Sequence, residues 1–223
     1  MHLKLNIINY SNNILINDLK DCLNLLPNKY KNLDTKIIIF DSFSRYLLYN
    51  LKTLNFIYFF NGIIEYIFHY YSPSTELGCY NIHLKSIHIF EYRILQMLEN
   101  KLSRLPSLDN YNEFKSYITK DLLNSYKTDW SKYVLLDSLI HELTHALQHK
   151  EKRIPNRFKY LTSKWNAIDI EFEAVSKSIE IFNTNHESFL NILGINGIKI
   201  SHSLNPLNIN YKLNIKISES IKK

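Results

Sequence analysis

Residues 130–150 read WSKYVLLDSLIHELTHALQHK, and the rest of the chain is best read outward from them. Leu135, Leu136, Leu139, Ile140, Leu143 and Leu147 are available for packing at helical spacing, with no Pro or Gly between them. A long helix is predicted over Trp130 to Lys150, closed off by Pro155. Inside it stands His141-Glu142-Leu143-Thr144-His145. Positions i and i+4 of a helix lie about 40° apart on one face. His141 and His145 can therefore present two imidazoles to one metal ion, and zinc suits such nitrogen ligands. Glu142 is rotated about 100° from His141. It reaches past the metal toward a bound water rather than ligating. Zinc lowers the pKa of that water toward about 7. The carboxylate then takes the proton during attack on a carbonyl and delivers it to the leaving amine.

A hydrolytic zinc site takes a third protein ligand and keeps one position open. The spacing HExxHxxGxxH does not supply it, because Gln148 stands where the glycine would be. The next candidates are Glu171 and Glu173, on the following predicted helix, Ala167 to Phe182. They lie about 200° apart around a helix, so only one can face the metal. From Glu171 the stripe i+3, i+4, i+7 is Ala174, Val175, Ser178, small and mostly apolar, fit to lie on another helix. From Glu173 it is Ser176, Lys177, Glu180, a solvent face. Packing favours Glu171, with Glu173 as the alternative.

His141-Glu142-Leu143-Thr144-His145 followed by Glu171-Phe172-Glu173-Ala174 resembles the gluzincin group of zinc metallopeptidases. The resemblance spans roughly residues 78–182. It implies one Zn2+ per chain held by His141, His145 and Glu171, with Glu142 as general base and a peptide or protein as substrate. It also implies a mixed sheet whose edge strand lines the substrate cleft, with the two metal-bearing helices below. The predicted strand at Tyr80–Phe90 precedes those helices, as that edge strand would. One departure stands out. Several gluzincins carry Asp or Asn four residues after the ligand Glu, where it orients a ligand histidine. Here that position is Val175, or Lys177 if Glu173 is the ligand. Asp137 and Asp169 are the substitutes the sequence offers. For oxyanion stabilisation it offers Tyr160 or Tyr211 among 16 tyrosines. His149 extends the histidine face by another turn and is expected at the surface or beside the ligands. His83, His88 and His202 are expected to be satisfied or solvated.

Elsewhere the pattern predicts a helix over Ile14–Leu26, a buried strand at Lys36–Phe40, and a helix capped by Asp41 running through Leu51. Asn61-Gly62 between two aromatic and β-branched runs predicts a hairpin of Leu54–Phe60 with Ile63–Tyr71, with a buried helix as the competing reading. Gly78 to Phe90 reads as a strand or ragged hairpin. Glu91–Leu105 and Asn110–Tyr126 read as helices, and the chain from Ile195 onward as short strands. The fold class is α+β, a zincin-like domain with a small mixed sheet. Residues 1–75 are expected to belong to the same fold, 76–185 to form the catalytic core, and 186–223 a tail.

Composition narrows the function classes. Apolar residues are 45% and charged residues 22%, which are globular proportions. The net charge is +6, but the basic residues are scattered, and the aromatic run Phe56–Tyr71 lacks interleaved Lys or Arg. Nucleic-acid binding is therefore not the expectation. Four glycines form no phosphate-cradling loop. Cys22 and Cys79 form no CxxC pair and suit a reducing compartment. No leader and no uninterrupted apolar span of about 18 residues is seen, so a cytoplasmic protein without membrane contact is expected. Two rival readings remain: a zinc-binding module that does not cleave, and a basic nucleic-acid-associated protein in which HELTH is incidental.

Overall fold

Lys36-Ile-Ile-Ile-Phe40 builds the centre of the molecule. A run of β-branched residues without alternation suits a strand covered on both faces, and Ile37, Ile38, Ile39 and Phe40 are all fully buried. The computed structural model describes residues 5–56, 59–60, 63–64, 76–103, 120–154, 167–195, 198–205 and 208–217. In chain order the elements are β1 (Asn6–Asn9), α1 (Ile16–Asn24), α2 (Asn28–Lys31), β2 (Lys36–Phe40), α3 (Phe43–Lys52), β3 (Gly78–Asn81) and β4 (Ser86–Phe90). They continue with α4 (Glu91–Ser103), α5 (Lys120–Lys150), α6 (Ala167–Leu193), β5 (Ile198–Asn205) and β6 (Asn208–Ile217). The class is α+β.

The main sheet is mixed, in the order β1-β2-β4-β3. β1, β2 and β4 run parallel, and β3 runs antiparallel to β4 at one edge. Alternate residues point to opposite faces. Ile37, Ile39, Ile87 and Ile89 join a core with α1, α4, α5 and α6. Ile38, Phe40 and Phe90 join a second cluster with Tyr46 of α3. β5 and β6 form a separate antiparallel pair. Among the described residues no helix is long and apolar enough to cross a membrane.

The structure changes several local readings. β1 was not foreseen; a four-residue strand gives almost no pattern, and it is specified by its pairing with β2. Ser42, not Asp41, caps α3. The Ser42 hydroxyl accepts the Arg45 N–H at 3.3 Å, while Asp41 holds the Arg45 guanidinium. Where Leu54–Phe60 is described, the competing helix replaces the strand: Phe56, Phe59, Phe60, Ile63 and Ile64 are helical, and the Phe59 N–H donates to the Asn55 carbonyl. A short apolar run reads equally as strand or buried helix; the remainder of that expected hairpin lies outside the described residues. α5 is one helix of 31 residues, so the segment from Lys120 to Tyr126 continues into it. The first part of the helix expected at Asn110–Tyr126 and the stop at Pro155 lie outside the described residues. α6 runs past Phe182 because Phe189, Leu190 and Leu193 prolong its buried stripe, and Gly194, at φ +65°, follows its end.

Two outcomes test this core. Leu139 lies on α5 and is fully buried; Leu139→Ala is expected to lower the unfolding free energy by about 2–5 kcal/mol in urea titration, and no change would contradict the packing. His88 is 1% exposed, its ring ringed edge-on by Phe40, Tyr46 and Tyr49. Burial, and then the charge of Lys36, pull its imidazole from 6.5 down to about 4. As pH falls through that window the unfolded chain takes up a proton that the native chain refuses, so stability present above the window is lost within it. The urea midpoint is expected to drop between about pH 7 and about pH 4.5, and to drop less steeply in His88→Phe. Parallel profiles would remove His88 from the account.

Candidate metal centre

α5 and α6 lie antiparallel, as three cross-contacts show. Ser178 donates to Asp137, Glu171 faces His141 and His145, and Gln148 donates to the Ile170 carbonyl at 3.0 Å. Ala174 and Ser178 are fully buried between the helices and Val175 nearly so. The small stripe read from Glu171 is therefore the one that packs, and it aims Glu171 at the histidine face.

His141, His145 and Glu171 converge, with ligand atoms all within 4.8 Å of one another. The two Nε2 atoms are 3.1 Å apart. Glu171 Oε2 is 3.3 Å from His141 Nε2, and Glu171 Oε1 is 3.3 Å from His145 Nε2. Ligands about 2.0–2.2 Å from a tetrahedral zinc stand roughly 3.3–3.5 Å apart, so the triangle has the right size. The donor set fits as well. An ionised carboxylate only accepts, and a neutral imidazole carries one lone-pair nitrogen. Such atoms brought to one point repel unless a cation or a proton lies among them. Hydrogen bonds from His141 and then His145 hold the Glu171 carboxyl well below the usual carboxylate range. Burial pulls the His145 imidazole down, but its bond to Glu171 and the charges of Glu142 and Glu171 outweigh this and raise it.

Glu142 sits beside the triangle, 7% exposed. Burial raises its pKa, and the neighbouring His141 and His145 offset only part of the rise. Its Cγ packs on β3: a Cβ added at Gly78 would lie 3.2 Å from it and 2.8 Å from Ile89 Cδ1. The edge strand thus runs directly past the carboxylate. The Phe90 N–H donates to the Leu77 carbonyl, and Gly78 pairs with Ile89 and Tyr80 with Ile87. In this alternation the backbone groups of Gly78 and Tyr80 point away from β4, toward an edge that no described strand pairs with.

The other candidates separate from the centre. Glu173 is drawn off by Arg153, at 2.5 Å, and accepts from Gln148 Nε2 at 3.0 Å. Asp137 is engaged by Ser178, and Asp169 is exposed; neither hydrogen-bonds a ligand histidine. The partner of His145 Nδ1 is instead Gln148 Oε1 at 2.9 Å. The sequence reading passed over Gln148, although its i+3 spacing from His145 was a usable signal. His141 Nδ1 has no hydrogen-bond partner among the described residues. His149 binds the Tyr80 hydroxyl at 2.9 Å rather than joining the triangle. His88 lies on the opposite face of the sheet, and His83 sits in the β3–β4 turn. Tyr160 and the side chains of Tyr211 and His202 lie outside the described residues.

Elemental analysis of tag-free protein is expected to find about one zinc per chain. His145→Ala and Glu171→Ala should lose it, and Glu173→Ala should still take it up. Loss in Glu173→Ala with retention in Glu171→Ala would exchange the two carboxylates. Comparison with protein-family models, curated proteins and solved structures gives no match for this chain.

Proposed function

We propose that this chain is a zinc-dependent peptidase of the zincin type. The observation that carries the reading is the His141–His145–Glu171 triangle with the buried Glu142 beside it and the edge strand β3 against Glu142. His141, His145 and Glu171 hold the metal. When bound, zinc supplies Lewis acidity, which acidifies water toward a pKa of about 7 and polarises a carbonyl. Glu142 takes the proton of the attacking water and returns it to the departing amine. Its raised pKa suits the uptake step, because a carboxylate with a higher pKa is the stronger base toward the water proton. A peptide in extended form pairs with the outward backbone groups of Gly78 and Tyr80, which brings its carbonyls past Glu142. A reducing, intracellular compartment belongs to the same reading, supported by Cys22 and Cys79 standing outside any disulfide.

The test is cleavage of a random peptide library, read by mass spectrometry. Wild type is expected to cleave, to stop on chelation and to recover with zinc. Glu142→Gln should keep its metal and lose activity by about 10²–10⁴-fold. Zinc uptake without cleavage under any condition would leave a metal-binding module that is not a peptidase.

A further inference from the structure

We propose that Gln148 and Glu173 form a relay that locks the proton of His145 on Nδ1 and so turns the Nε2 lone pair toward the metal position. The inference rests on the metal-binding reading and adds positioning residues to it. Its logic is one of donors and acceptors. Gln148 is fully buried, and one end of its amide meets two groups, the Ile170 carbonyl and Glu173 Oε2, each at 3.0 Å. A carbonyl and an ionised carboxylate can only accept. That end is therefore the NH₂, and both its hydrogens are used.

The other end, Oε1, has only lone pairs to offer and lies 2.9 Å from His145 Nδ1. That nitrogen must then carry the hydrogen. A neutral imidazole has one N–H, so Nε2 is left with its lone pair, and it is Nε2 that faces Glu171 and His141. Glu173 is fixed in turn by Arg153, at 2.5 Å on the same Oε2. The carboxylate that is not a ligand therefore acts on the site through Gln148, and the chain needs no Asp or Asn at Val175.

Histidine ligands held through their other nitrogen bind metal more tightly, and removing the holder costs about 10–100-fold in affinity. Two readouts decide the relay. In metal-free protein at a pH where the ring is neutral, nitrogen–proton correlation spectra are expected to show the Nδ1–H tautomer for His145. In Gln148→Leu they should show a mixture with Nε2–H. Zinc affinity, by competition with a chromogenic chelator, should fall about 10–100-fold in Gln148→Leu. Glu173→Ala, at a partly exposed site, should fall several-fold with its tautomer partly released. An Nε2–H tautomer in wild type overturns the relay. So does a Gln148→Leu variant, or a Glu173→Ala variant if the first does not fold, with unchanged tautomer and affinity. Wild type that takes up no zinc sinks the metal reading, while the tautomer still decides the relay.

Discussion

The distance between α5 and α6 is the constraint on which the rest depends. Ala174 and Ser178 are fully buried at the crossing, and Ser178 bonds to Asp137 across it. Small side chains let two helices approach closely. At that separation a glutamate one turn before Ala174 meets the ring nitrogens of His141 and His145. A larger residue at either position would push α6 outward, and Glu171 would be left in solvent, where it has the exposure to go: 44% even in place. The triangle is thus a product of helix packing before it is a product of ligand chemistry.

The same packing explains how α5 tolerates polar residues in its buried length. Glu142, Thr144, His145 and Gln148 are all buried, and each unpaired group would cost on the order of 1–3 kcal/mol. Thr144 returns its hydroxyl to the Ile140 carbonyl and meets Tyr30. Gln148 bonds at both ends of its amide. The two histidines meet each other and Glu171. His141 Nδ1 has no hydrogen-bond partner among the described residues. The two rings are therefore held unequally, one at both nitrogens and one at a single nitrogen.

Much of this was legible in residues 130–182, because helical periodicity carries information over many turns. The HELTH face followed from i, i+4 spacing, and the reading of Glu171 ahead of Glu173 from which stripe was small and apolar. Other features depend on partners that no local pattern names. β1 exists through its pairing with β2. Phe56 and Phe59 form helix where an Asn-Gly step suggested a turn between strands. Asp137, one turn before His141, and Asp169 are the carboxylates the sequence offers for orienting a ligand histidine, and neither does so. The structure supplies an amide three residues after the ligand His instead.

Gly78 joins the sheet to the site, and its reason is space rather than backbone freedom. Its φ is not positive, so an alanine would meet no strain in the backbone itself. The obstacle is the Cβ, which would meet Ile89 Cδ1, Glu142 Cγ and the His88 carbonyl at 2.8, 3.2 and 3.3 Å. The end of the Ile89 side chain would have to turn aside within the core, and Glu142 Cγ would have to give by a few tenths of an ångström. A glycine at the head of β3 therefore lets an edge strand and a buried carboxylate share one wall, which any extended chain laid on that edge would follow.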